Sequence, residues 1–239
     1  MSNSPRYAIY YTAERDSPLA IFGAECVGYD ARTGRDVPFP IGVAEDWHDL
    51  TRDPRKYGFH ATLKAPISLA PGRTEAELLN ACADFAGRPR PLPVITPVVG
   101  AIGGFVAVIP SQPSDVLVQL AADCVGSFDP FRAPLMPADH ARRRPEKLTP
   151  RQRDYLNRWG YPYVMEEFRF HMTLTGHLDV HRRADVLSFL QDRFARLALG
   201  HLTIDRITVF KQTSADRRFQ VVREWQLLSS GDLSNPQPG

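Results

Sequence analysis

Two four-residue segments, His60-Ala61-Thr62-Leu63 and His171-Met172-Thr173-Leu174, constrain this chain more than any other feature. With 7 His, 12 Thr and 22 Leu among 239 residues, chance supplies only about 0.03 such matches. Both copies therefore require an explanation. Each is flanked by apolar and aromatic residues, as in Tyr57-Gly-Phe-His60 and Phe168-Arg-Phe-His171, and each reads as a strand. Side chains alternate across a strand, so His60 and Thr62 share one face, and His171 and Thr173 share one face. Phe59, Ala61, Leu63 and Phe170, Met172, Leu174 are left to enter a core.

The rest of the chain arranges itself around these two points. A strand is expected over 6–12, mostly loop over 13–56 with a short helix near 19–26, and a strand over 57–68. A helix opens at Thr74, with Glu75 and Glu77 in its first turn, and two strands follow near 92–101 and 105–110. A helix over 113–125, an irregular proline- and arginine-rich connection over 129–150 and a helix from Thr149-Pro150 to Gly160 lead to the second motif. A strand over 167–175, a helix over 183–199 and strands over 201–211 and 219–228 complete the pattern. Each half thus offers a motif strand, a helix and a pair of strands, which suggests two similar lobes. One domain is expected over 1–228, followed by a flexible tail over 229–239.

Two imidazoles and two hydroxyls around one pocket suit phosphoester cleavage. A neutral His removes a proton from the attacking oxygen, a protonated His delivers one to the leaving oxygen, and the threonines donate to the phosphate. Lys64 and Arg169 fall on the same strand faces as the two pairs and either hold the phosphate or stand as solvated edge charges; Lys211 is a similar candidate. Tyr10 and Tyr11 alternate, one packing inward and one toward the cleft, with Tyr10 assigned to the cleft. Arg142 and Arg143, beside Arg144 and Lys147, form either a phosphate-binding cluster or a solvated segment. His48, His140, His177, His181 and His201 show no metal spacing, so neither a metal nor a cofactor is expected.

The composition narrows the partner. A net charge of +2 and a sequence pI near 8.5 fit a small phosphate ester better than a long polyanion. Cys26, Cys82 and Cys124 form no metal or disulfide pattern and suit a reducing compartment. No apolar run reaches the ~20 residues that span a bilayer, and no signal peptide is visible, so a cytoplasmic protein is expected. The oligomeric state is left open.

The paired H-x-T-L strands resemble the 2H phosphoesterase superfamily, which includes RNA ligase-like and cyclic phosphodiesterase members. Tyr57-Gly-Phe-His-Ala-Thr-Leu-Lys-Ala-Pro66 and Phe168-Arg-Phe-His-Met-Thr-Leu-Thr-Gly176 resemble, within it, a family found beside phosphonate-utilisation genes. Arg6-Tyr-Ala-Ile-Tyr-Tyr11 and Trp159-Gly-Tyr-Pro-Tyr-Val164 extend the resemblance. It implies an α+β fold of two lobes related by a pseudo-twofold axis around a central cleft, each an antiparallel sheet with helices outside. It further implies metal-independent cleavage by His60, Thr62, His171 and Thr173, with a ribose cyclic phosphate from phosphonate breakdown as one substrate. A nucleotide- or RNA-binding module, or an RNA end-processing or ligase-like protein of the same fold, stands as the alternative.

Overall fold

The computed structural model describes residues 4–231. Its centre is a seven-stranded sheet of β1 (Arg6–Tyr11), β2 (Ala61–Ser68), β3 (Pro97–Ile102), β4 (Phe105–Pro110), β5 (Met172–Thr173), β6 (Arg206–Gln212) and β7 (Gln220–Gln226). The spatial order is β7-β6-β1-β2-β5-β4-β3, and every neighbouring pair is antiparallel. The α+β class read from the sequence is the observed one.

Five longer helices surround the sheet: α1 (Pro18–Val27), α2 (Glu75–Ala86), α3 (Asp115–Phe128), α4 (Pro150–Trp159) and α5 (Val180–Ala195). Their starts follow from local chemistry. Thr74 and Glu77 close a reciprocal capping box on α2, Thr149 and Gln152 do the same on α4, and Asp179 caps α5 three residues earlier than the apolar spacing suggests. Pro18 sits in the first turn of α1, bounding the helix rather than breaking it. Beyond α1, the stretch read mostly as loop holds a two-stranded ladder, Tyr29–Asp30 with Arg35–Asp36, and helical turns at Trp47–Leu50 and Arg52–Arg55. The connection over 129–150 likewise contains a short helix, Pro137–Arg142.

Aromatic contacts tie the layers together. Phe22 of α1 meets Phe194 of α5 at 5.6 Å, and Phe85 of α2 meets Phe128 of α3 at 5.3 Å between ring centroids. All three cysteines are buried and free, and burial pushes their thiols up.

The two sequence halves share one continuous sheet rather than forming a sheet each. Each half does contain motif strand, helix and strand pair in that order, but the pairs exchange places in the sheet. The β3–β4 pair that follows the first motif flanks the second motif strand β5, whereas the β6–β7 pair that follows the second motif continues from β1 beside β2. The two motif strands then meet edge to edge, not face to face, through Ala61 and Met172. Sequence order is silent on this exchange because strand pairs are joined through helices long enough to cross the sheet. The tail expected over 229–239 begins with an ordered bridge between Arg90 and Ser229, and residues 232–239 lie outside the described ones.

Candidate active site

The strand expected over 57–68 enters the ladder only at Ala61, and the one over 167–175 is reduced to Met172–Thr173. Each motif histidine therefore stands one residue before its ladder. The antiparallel pair Ala61–Met172 sets the rest. One residue to either side, position 60 lies beside 173 and position 62 beside 171, so each motif's His adjoins the other motif's Thr. The cavities agree with this register. His60, His171 and Thr173 line a cavity of about 330 Å³ with Tyr57 and His177, while Thr62 and His171 line one of about 500 Å³ with Arg169 and Tyr161. His171 stands where the two meet.

Both imidazoles are held the same way. The Nδ1 of His60 lies 2.9 Å from the Gly58 carbonyl oxygen, and the Nδ1 of His171 lies 2.7 Å from that of Arg169. A carbonyl only accepts, so Nδ1 carries the proton in each ring, and in the neutral form Nε2 keeps its lone pair. The His60 Nε2 is 3.4 Å from the Thr62 hydroxyl. For His60 this carbonyl comes from a glycine at φ +77, whose added Cβ would lie 2.8 Å from the Ala31 Cβ.

Burial pushes the His60 imidazole down to about 4; the neighbouring His171 adds to the shift, and the Gly58 carbonyl opposes it. Burial also lowers His171, against the Arg169 carbonyl. Tyr10 supplies much of the covering of His60. Its ring stacks on the imidazole at 3.8 Å between centroids and 24° between planes. Tyr11, on the opposite face, instead donates to the Thr203 carbonyl at 3.3 Å.

Two expected phosphate ligands point elsewhere. Tyr10 pairs with Thr62 and Ile9 pairs with Lys64, so β2 spends one extra residue there, a bulge that reverses the alternation. Lys64 consequently faces away from His60 and Thr62, where it is buried and bonds Asp129 at 2.7 Å and the Val125 carbonyl at 3.1 Å. Lys211 pairs across the sheet with Tyr7, on the face opposite Tyr10, and reaches Glu75 at 2.5 Å. Arg142 is exposed and paired with Asp139. Arg169 does line the larger cavity, and Arg143 lies over the Tyr161 ring at 4.9 Å.

Other cleft residues escaped the sequence reading. His177 continues the alternation of His171, Thr173 and Thr175 into the smaller cavity, its ring filling the space that a Cβ on Gly104 would take. Arg6 shares the face of Tyr10, four residues along β1. Extending the alternation past Thr175 and backwards from Tyr10 finds both.

Residues 62–220 match a family described as "Protein of unknown function (DUF1045)". The chain belongs to this family. Two curated relatives of this DUF1045 chain are each called "Ribose 1,5-bisphosphate phosphokinase PhnN". The protein from Janthinobacterium sp. (strain Marseille) is 37% identical over 231 residues, covering 93% of this chain and 50% of the relative. That from Laribacter hongkongensis (strain HLHK9) is 31% identical over 230 residues, covering 96% and 53%. The DUF1045 chain thus spans about half the length of the curated relatives it matches. Among solved structures, E. coli LigT complexed with NADP+ aligns at TM-score 0.41 and 17% identity, covering 95% of this chain and 100% of the other. A structure described as a phosphoesterase aligns at TM-score 0.41 and 15% identity, covering 95% and 99%.

Proposed function

We propose that this chain is a 2H-type phosphoesterase that opens a small cyclic phosphate or cleaves a small phosphodiester without a metal ion. The observation that carries the reading is the antiparallel pairing of the two motifs, which sets two Nδ1-anchored imidazoles beside two hydroxyls. His60, held neutral by its surroundings, is the base. Its Nε2 takes a proton from water as the water oxygen bonds to phosphorus. His171, entering as imidazolium, gives its Nε2 proton to the leaving oxygen as the phosphorus–oxygen bond breaks. Thr62 and Thr173 donate to the non-bridging oxygens as charge grows. Proton exchange with solvent then resets both rings.

For the substrate, a ribose cyclic phosphate is favoured. The curated relatives are named for a ribose bisphosphate, and a small cleft with a weak overall charge suits a sugar phosphate. Because this chain spans only about half of those relatives, the kinase activity in their name is not carried over.

The test is turnover in EDTA on ribose cyclic phosphates, nucleoside 2′,3′-cyclic phosphates and a short 2′,5′-linked RNA, beside His60→Ala and His171→Ala. Turnover by the wild type and a fall of about 10²-fold or more in each variant is expected. A single-His variant at full rate would end the acid–base assignment. Saturable nucleotide binding without product would favour the binding-module alternative.

A further inference from the structure

The cleft face carries a second group of polar side chains that proton transfer does not use. Arg6 places its guanidinium over the Phe219 ring, 5.5 Å from the centroid, and its Nε and Nη2 both donate to Gln212 Oε1, the former at 2.9 Å. Gln212 is uncharged, so the positive charge of Arg6 is oriented without being neutralised. Phe219 stacks on Tyr57 at 5.1 Å, and Tyr57 lines the smaller cavity with His60. From the other side Arg143 covers Tyr161, which lines the larger cavity with Thr62 and His171. Tyr10 lies among these rings, 3.8 Å from His60 and 6.4 Å from Phe219.

Among the described residues neither Arg6 nor Arg143 has a carboxylate partner, and the hydroxyls of Tyr10, Tyr57 and Tyr161 make no hydrogen bond within the protein. Five groups able to donate are gathered beside the catalytic pair, and the acidic residues that line the two cavities, Asp53 and Glu167, are bonded to Lys56 and Gln152 instead. That is the composition of a site for an oxyanion, since guanidinium and phenol both bond phosphate oxygens. The electrostatics agree. Burial and the neighbouring phenols raise the Tyr10 phenol well above its usual range, and Arg6 and Arg143 are the groups that oppose the rise.

Taking the phosphoesterase reading as its basis, we propose that Arg6, Arg143 and the hydroxyls of Tyr10, Tyr57 and Tyr161 form a second anion subsite for a phosphomonoester of the substrate. The chain then selects small esters that carry two phosphate groups, one cleaved between His60 and His171 and one held on the phenol side of Tyr10. The apolar rings between them keep the second phosphate from occupying the reactive position.

Two measurements test this, and they fail separately from the phosphoesterase reading. The first compares ribose 1,2-cyclic phosphate with its 5-phosphorylated twin in wild type, Arg6→Gln and Arg143→Gln. The wild type is expected to favour the phosphorylated twin in kcat/KM, and each substitution to reduce that preference about tenfold, chiefly through KM, the loss of a charge-assisted bond being worth at least that ratio. A preference that survives both substitutions overturns the proposal. The second needs no turnover: calorimetric titration with inorganic phosphate. Two sites in the wild type, one of them lost in the Arg6→Gln/Arg143→Gln double variant with an unchanged melting temperature, support the subsite. Equal stoichiometry in wild type and double variant overturns it, whether or not either twin is hydrolysed.

Discussion

Tyr10 lies flat on His60, their ring centroids 3.8 Å apart. The contact joins β1 to the motif histidine that precedes β2, and it is part of the burial that holds the imidazole at about 4. Removing the ring opens that side to water, which favours the charged form. Tyr10→Ala is expected to raise the His60 pKa toward 6.5, whereas Tyr10→Phe, which keeps the ring, leaves it low. Proton NMR titration of the His60 ring hydrogens reads the difference. An unmoved pKa in Tyr10→Ala would assign the shift to the remaining packing around the imidazole.

The pH dependence of kcat/KM follows from the signs of the two shifts. In the proposed assignment His60 is the base and must be neutral, so activity rises with pH through a value near 4. As the acid, His171 must be protonated, and since burial lowers it from the ordinary 6.5, activity falls as pH rises through a value below 6.5. The maximum in kcat/KM is therefore expected on the acid side of 6.5. In the complex the anionic phosphate favours both imidazolium forms, so the kcat profile moves to higher pH. A rate profile at subsaturating substrate with its optimum above pH 8 would remove the two histidines from the acid–base roles.

What the sequence made legible was which side chains each motif sets on one face, because period-two alternation is a local property. His60 with Thr62 and His171 with Thr173 needed no knowledge of the fold. Lys64 was lost to a bulge, since one extra residue between Thr62 and Lys64 reverses the face and leaves no compositional mark. Lys211 was lost to strand pairing, because only the register against Tyr7 shows which face it takes. The exchange of strand pairs between the two halves of the sequence is likewise a long-range choice. The helix starts, by contrast, were written in capping residues such as Thr74 and Thr149, and these stand where the local pattern put them.

Gly58 ties backbone geometry to the orientation of the His60 imidazole. Its φ of +77 is one that side-chain-bearing residues rarely adopt, and a Cβ there would press on Ala31 at 2.8 Å. Gly58→Ala is expected to cost ~1–3 kcal/mol of stability and to displace the carbonyl that orients His60. Gly72 is the control, with φ +80 and nothing within 4 Å of an added Cβ. Gly72→Ala is expected to lose ~1 kcal/mol with turnover kept. Thermal melts with paired kinetics separate the two, and equal turnover in both variants would show that the carbonyl's position is unimportant.

Lys64 decides between a structural and a substrate-binding role. Its side chain is 3% exposed, with Asp129 at 2.7 Å and the Val125 carbonyl as its acceptors. Asp129 is shared: Arg132 donates to it at 2.8 Å, and Arg132 and Lys64 together hold its carboxyl below the usual range although burial acts the other way. The two partners are therefore unequal. Asp129→Ala strands a buried ammonium and is expected to cost ~3–5 kcal/mol. Lys64→Met removes that charge, leaves Asp129 on Arg132 and fills the space with an apolar chain, at a cost of ~1 kcal/mol or less. Since Lys64 faces away from the cleft, Lys64→Met is also expected to keep KM within about twofold of wild type, a difference of less than ~0.5 kcal/mol in binding. Urea denaturation and steady-state kinetics on the same samples give both answers. A large rise in KM with little change in stability would return Lys64 to the phosphate, and with it the uninterrupted alternation that the bulge replaces.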